Sequence, residues 1–497
     1  MIGLWLLACG PKIDPGPAAA LAALEPAPLV VMPVAGAPDL YLQAMIRAGS
    51  AFDPTGKEGL ADLMARSLVE AGAGDRSSEE VDAALWPTAN GFRVIVEREW
   101  VQLRLRCHHD QAALCAELFT DALVAPRFDE ADVLRLRDRA VSAVTDGMLA
   151  DEERMGREVL EATLYEGHPY GHPTRGRSGA LEVIGVDDLA AFHRTHVVRS
   201  AVFVGLAGAV DDAIVADVSE RLLALPQTMA PDLPLQAPVS GDGPRLVAVD
   251  TATPVTGLWL GTPIDLDRND EDWPAVWLAT MALGAHRSSW GRLFRTLRAD
   301  RGLNYGDYAY VEPWLERGSS TWQDQGTLRT QNRFAVWIRP TSVENGPFAL
   351  RLALDELARW RDEGLTDAEL EDARSFLRST IPVLAADPGR RLTYALEARA
   401  TGTPDLQEDL GARLDALTLD QVNDAVRRHV SLDALTVVAV SGEAQAFVDA
   451  VTGDAPTPMT PPSPDPSLAE RDAAVAGRPT GIDVAHAWVV QADGIFR

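Results

Sequence analysis

His108-His109-Asp110, the pair His168 and His172, and the pair Asp62 and Arg66 are the places where residue type and spacing could do chemistry. Three ligand-type side chains in a row suggest a divalent cation. Neighbours on a strand point to opposite faces, however, so 108–110 reads as a turn, with Asp110 capping the helix that follows. His168 and His172 have the i, i+4 spacing that sets two imidazoles on one helical face, but Pro169 and Gly171 between them break any helix. They belong to a loop. Asp62 and Arg66 share that spacing, acid before base, in a stretch whose Leu60, Leu63, Met64 and Leu68 recur at helical period. The two are expected to pair on the face opposite that stripe, worth about 0.3–0.5 kcal/mol if exposed. Cys107 and Cys115 straddle a strand end and the next helix, and read as two buried free thiols.

Two similar halves must position these groups. Val186–His196 precedes the strand-like 201–208, and Leu419–His429 precedes 435–442; each is a capped helix, a short turn and an apolar strand ending in Gly. His196 and His429 correspond at an offset of 233 residues, and Phe128-Asp129-Glu130-Ala131-Asp132-Val133 matches Leu365-Thr366-Asp367-Ala368-Glu369-Leu370 at an offset of 237. Two matches at nearly one offset indicate a duplicated domain. His196 and His429 close their helices, where a cationic imidazole suits the dipole. The Pro- and Gly-rich run 226–244 is a linker, and 455–467 is a second, extended one. Beyond it, Ala487-Trp488-Val489-Val490 is expected to add an edge strand. Strands such as 100–107 and 333–338 alternate with helices such as 129–144 and 366–381, which gives an α+β or α/β class. Trp273, Trp277, Trp290, Trp314 and Trp322 fit either a core or the lining of a peptide groove.

The chain of 497 residues holds 45 Lys and Arg against 73 Asp and Glu, a net charge of −28. That excludes a nucleic-acid binder, which needs a basic surplus. With 46 % apolar and 24 % charged residues the composition is globular, and three cysteines exclude a disulfide scaffold. Leu6-Leu7-Ala8-Cys9 has the form of a bacterial lipobox followed by a Pro/Ala-rich tether. Residues 1–27 then read as a leader with Cys9 as the acylated residue, in the cell envelope or periplasm. Met1–Ala8 carries no Lys or Arg, so an ordinary apolar N-terminus is the rival reading.

Three segments in order carry a family resemblance: Gly59-Leu60-Ala61-Asp62-Leu63-Met64-Ala65-Arg66; Gly167-His168-Pro169-Tyr170-Gly171-His172-Pro173 with Gly176 behind it; and 291–305, which holds Arg298 and Tyr305. Over about residues 28–445 the chain resembles the M16 (pitrilysin/insulinase) metallopeptidase family, in the shorter form related to mitochondrial processing peptidase. The resemblance implies an α+β fold of two homologous domains, each an antiparallel-rich sheet packed with helices. Their expected spans are 28–225 and 246–450, joined by the linker 226–245 and followed by the tail 451–497. The family's zinc motif, H-x-x-E-H on a helix, falls on Asp62, Ala65 and Arg66, and its distant Glu falls near Val144 or Thr145, beside Asp146. None of the motif positions keeps its ligand or base, so no catalytic residue and no metal are expected in this chain. Arg298 and Tyr305 fall on the family's substrate-contact positions, where they would hold a peptide backbone and a developing oxyanion. The resemblance thus implies a silent, peptide-binding subunit that pairs with an H-x-x-E-H subunit carrying the zinc. Two rivals stand beside it: an active metallopeptidase with unusual ligands such as Asp62 and Asp146, and a structural scaffold like the core proteins of respiratory complex III.

Overall fold

Apolar runs of four to eleven residues build two sheets whose strand orders repeat. In the computed structural model, which describes residues 29–312 and 328–497 apart from positions 89, 234, 236, 239 and 240, the first sheet runs β1 (Val30–Pro33), β5 (Val202–Gly208), β2 (Asp39–Ile46), β4 (Val101–His108), β3 (Gly91–Val96). The second runs β6 (Arg245–Asp250), β10 (Thr436–Ser441), β7 (Val255–Ile264), β9 (Asn332–Ser342), β8 (Asp307–Tyr310), with β11 (Ala487–Gln491) outside β6. In both, the first pair is parallel and the next three are antiparallel. The class is α+β with the domain duplicated, as expected. The strand at Ala487–Gln491 pairs in parallel with β6 along the sheet edge.

Each half lends a helix to the other's sheet. The helix Glu152–Leu164 packs on β7 and β10, and the helix Pro388–Thr401 packs on β5, β2 and β1. Both seams are fixed by a strand side chain that donates to a helix carbonyl. Trp259 Nε1 on β7 donates to Glu153 O at 3.0 Å, and Gln43 Nε2 on β2 donates to Gly389 O at 2.6 Å. The returning helix is held further by Arg268, which donates in bidentate fashion to Glu312 at 2.8 and 2.9 Å and to Glu397 at 3.0 Å, all three buried. The helix Trp273–Gly284 is buried on every side, as its all-round apolar sequence requires. Trp273 and Trp277 stack within it at 5.4 Å, which makes both core residues. Trp290 packs on Phe376, while Trp314 and Trp322 lie outside the described residues.

Three expectations are corrected. Cys107 and Cys115 are joined in a disulfide: the end of β4 and the helix Ala112–Val124 bring their Cα atoms to 6.6 Å, within bridging reach. Asp110 does not cap that helix, because the chain makes a 3-10 turn first and the His108 ring accepts from the Asp110 amide instead. His196 is not a cation. It packs against Phe192 at 4.2 Å and Phe52 at 5.0 Å, and burial pushes its pKa down to about 4. The matching His429 does have a carboxylate partner, Asp272, at 2.8 Å.

The buried neutral imidazole gives a pH prediction. On acidification the unfolded chain protonates His196 near pH 6.5, the folded chain only near 4, so stability falls as pH drops through that window. His196→Phe should therefore flatten the loss of Tm between pH 6.5 and 4, by an amount on the order of 2 kcal/mol at its largest. Parallel Tm-versus-pH curves for the two proteins would refute the assignment.

Candidate functional site

The helix Leu60–Glu70 has no local cap. Asp53 supplies it from the preceding loop, its two carboxylate oxygens accepting from the Gly59 and Ala61 amides, both at 2.7 Å. The chain enters at Gly59 with φ +106°, against Gly176 with φ +88°; a Cβ on Gly176 would sit 2.0 Å from Glu58 O. Only two glycines allow this approach, and it seats the loop 167–176 against the helix start. Within that loop Tyr170 donates to Glu99, and His172 is kept neutral, its pKa pushed down to about 4 by burial and by Arg98.

On this helix Asp62 and Arg66 pair as expected. Arg66 Nε and Nη2 donate to the two Asp62 oxygens at 2.7 and 2.8 Å. Asp62 is only 3 % exposed, so the pair is stronger than an exposed one would be. Both residues face a cavity of about 230 Å³, while Ala65 lies in the hydrophobic core. β3 brings Arg93 to that cavity, the helix Glu152–Leu164 brings Arg154 and Arg157, the loop brings Arg175, and the second half brings Arg329 and Arg333. With Arg66 and Arg98 the wall holds eight arginines against four carboxylates, Asp62, Glu97, Glu158 and Glu161. Glu161 binds the two halves together here: it accepts from Arg329 Nη1 at 2.9 Å and from Arg333 Nε.

This donor set does not fit a divalent cation. Guanidiniums cannot ligate and repel the ion, and both Asp62 oxygens are already committed to Arg66. Nor do Asp62 and Asp146 converge. The helix Glu130–Val144 ends at Thr145, a four-residue helix Asp146–Leu149 follows, and Asp146 lines a separate cavity of about 110 Å³ beside Phe496. The helix that faces Arg66 across the cavity is Glu152–Leu164.

Arg298 and Tyr305 do come together. Arg298 sits on a one-turn π-helix, Phe294–Ala299, a rare geometry often found at functional sites. Its guanidinium lies 4.4 Å over the Tyr305 ring, and its Nη1 donates to Tyr305 O at 2.5 Å. Arg339 covers the same ring at 5.2 Å, and Tyr305 is still 65 % exposed. Neither residue lines the Asp62 cavity, but one helix touches both places: Glu153 accepts from Arg339 Nε at 2.7 Å, and the next residue, Arg154, lines the cavity. Among the described residues two further clusters have cation-ligand chemistry, His108/His109/Asp110 and Asp270/Asp272/His429. The first is a turn, and in the second Asp272 is held by Arg428 and His429.

The fold is a duplicated α+β one, and its helix Leu60–Glu70 presents an Asp62–Arg66 ion pair rather than a set of metal ligands. Residues 184–377 match the family described as "Peptidase M16 inactive domain". That stretch is similar to the M16 family, and the helix Leu60–Glu70 that precedes it does not carry H-x-x-E-H. The chain is 24 % identical over 373 residues to an uncharacterized zinc protease of Streptomyces coelicolor, covering 72 % of this chain and 76 % of that one. It is 20 % identical over 405 residues to the non-peptidase homolog YmxG of Helicobacter pylori, covering 81 % and 89 %. Among solved structures it is similar to a peptidase M16 inactive domain from Pseudomonas fluorescens, with a TM-score of 0.73 at 22 % identity over 84 % of this chain and 96 % of that one. A chain of complex III from Candida albicans gives 0.65 at 13 % identity, over 83 % and 93 %. Among the described residues no helix is long and apolar enough to cross a membrane, and Cys9 lies outside them.

Proposed function

We propose that this chain is the non-catalytic subunit of an M16-type zinc endopeptidase. It holds peptide substrate at Arg298 and Tyr305 and pairs with a subunit that carries H-x-x-E-H and the zinc. One contrast carries the reading: the metal-motif face has become Asp62 paired to Arg66, while Arg298 and Tyr305 keep their spacing and stack together with Tyr305 open to solvent. Arg298 can donate to peptide carbonyls and the Tyr305 hydroxyl to a developing oxyanion, while the water-activating centre lies in the partner. Acylation at Cys9 and residence in the cell envelope belong to the same proposal and rest on the lipobox-like leader.

The purified chain should hydrolyse no peptide above background, with or without Zn²⁺. Chelator-sensitive cleavage by the pure chain would refute the silent-subunit reading. Affinity capture of the full chain from detergent-solubilised envelopes should recover an H-x-x-E-H subunit, and the mass of the captured chain reports on Cys9. In the reconstituted pair, Arg298→Ala should lower kcat/KM about tenfold or more.

A further inference from the structure

We propose that the arginine-lined cavity beside Asp62 is a site for an acidic peptide segment, whose carboxylates it takes where members of the M16 family would hold a metal. This rests on the peptide-holding reading above and names the class of peptide.

The first observation is charge. In a chain of net charge −28, eight of the 45 basic residues converge on one cavity of about 230 Å³ with only four acids. The surplus is four positive charges where the protein as a whole repels anions. The second is pairing. Asp62 holds Arg66, and Glu161 is shared by Arg329 and Arg333. Among the described residues, Arg93, Arg154 and Arg175 have no carboxylate within ion-pair distance. The third is unmet hydrogen bonding. Among the described residues, Arg98 Nε and Arg333 Nη1, on side chains that are each 2 % exposed, have no acceptor. Arg329 Nε has none either. Buried donors are expensive to leave unmade, and guanidiniums crowded together repel. Arg175 bears this out: burial and the neighbouring Arg154 both push its pKa down. Planar guanidinium forks match carboxylates in bidentate fashion, so anionic oxygens would satisfy all three deficits.

The shape favours a chain over a lone ion. The unpaired guanidiniums come from separate elements, with Arg93 exposed on β3 and Arg154 and Arg175 half-buried. The backbone stretch Val94-Ile95-Val96 of β3, the last strand of its sheet, forms one wall. An extended peptide with spaced acidic side chains can reach several of these charges at once. The same charges would turn away basic peptides.

The test uses the full chain and fluorescein-labelled ten-residue peptides of one backbone pattern carrying Glu, Gln or Lys at alternate positions. The Glu peptide should bind at least tenfold tighter than the Gln peptide, with affinity falling as salt rises, and the Lys peptide should not bind. Arg154→Gln and Arg175→Gln should each weaken the Glu peptide at least fivefold. Arg175→Gln should also leave the Tm of the unliganded protein unchanged or higher, because it relieves repulsion, whereas a purely structural arginine would lower it. Equal binding of Glu and Gln peptides, sensitive to Arg298→Ala but not to Arg154→Gln, would overturn the acidic-segment site and leave the peptide-holding reading standing. Binding of inorganic phosphate at this cavity with no binding of any peptide would overturn both.

Discussion

Glu161→Ala is expected to cost about 3–5 kcal/mol of stability and roughly 10 °C in Tm, far more than any other acid on its helix. Glu161 is 3 % exposed and belongs to the first half, yet two of its guanidinium partners, Arg329 and Arg333, belong to the second. Arg98 adds a third at 3.8 Å. Burial alone would push its carboxyl upward; Arg329, Arg333 and Arg98 together overcome that and hold it well below the usual range. The side chain is therefore charged in the folded protein at every pH above the ordinary carboxylate range. Its contribution is complete at neutral pH and fades only on acidification below about 4.5. Removing it takes away the carboxylate that Arg329, Arg333 and Arg98 share, leaving the longer contacts of Arg329 to Glu97 at 3.7 Å and Arg98 to Glu158 at 3.8 Å. Glu153 is the control. It sits on the same helix and also pairs across the halves, to Arg339 at 2.7 Å, but both side chains are 28 % exposed, so Glu153→Ala should cost less than about 1 kcal/mol. Thermal and urea unfolding of the two variants decide the matter: equal, small losses would mean that the Glu161 cluster does not join the halves.

The duplication was legible in the sequence because it left two kinds of mark at one offset, the helix-to-strand blocks closed by His196 and His429 and the capped helix starts after Phe128 and Leu365. The pairing of Asp62 with Arg66 was legible for a similar reason: helical spacing and an apolar stripe fix which face a residue takes. What a face is packed against is another matter. The period of Glu152–Leu164 and of Pro388–Thr401 says that one side is buried, but nothing local says that the sheet burying it belongs to the other half. The arginine cavity was hidden for the same reason. Arg93, Arg154, Arg175 and Arg333 are far apart in sequence, and each alone looks like a solvated surface charge; only the fold makes them neighbours. Cys107 and Cys115 turn on geometry too, since spacing eight residues apart leaves both a bridge and two thiols open until the strand and helix are oriented.

The reciprocal helix exchange makes the second large prediction. At the seam under Glu152–Leu164 the closest approach is at Gly156, where an added Cβ would lie 2.4 Å from Trp259 Cδ1 and 3.3 Å from Val440 Cγ2. Trp259 cannot easily give way. Its ring is buried, stacks on Trp337 at 5.1 Å with 3° between the planes, and donates from Nε1 to Glu153 O. Gly156→Ala would gain up to about 1 kcal/mol of helix propensity on an isolated helix. Here the overlap should outweigh that gain, for a net loss of about 1–3 kcal/mol, and Gly156→Val should lose more. The equivalent seam in the other half supplies the comparison. A Cβ on Gly389 meets Tyr41 Cδ1 at 2.5 Å, but the Tyr41 ring is only part-buried and can swing aside, so Gly389→Ala should cost less than Gly156→Ala. Because Gly156 shares a helix with Arg154 and Glu161, its variants should also shift the cavity wall and weaken binding of the Glu peptide, whereas Gly389→Ala, at the other seam, should leave that binding intact. Denaturant unfolding with peptide titration of both variants tests this directly. If Gly156→Ala proves as stable as the parent, the helix does not sit on the second sheet as closely as the packing of Trp259 requires, and the coupling of the cavity to the seam fails with it.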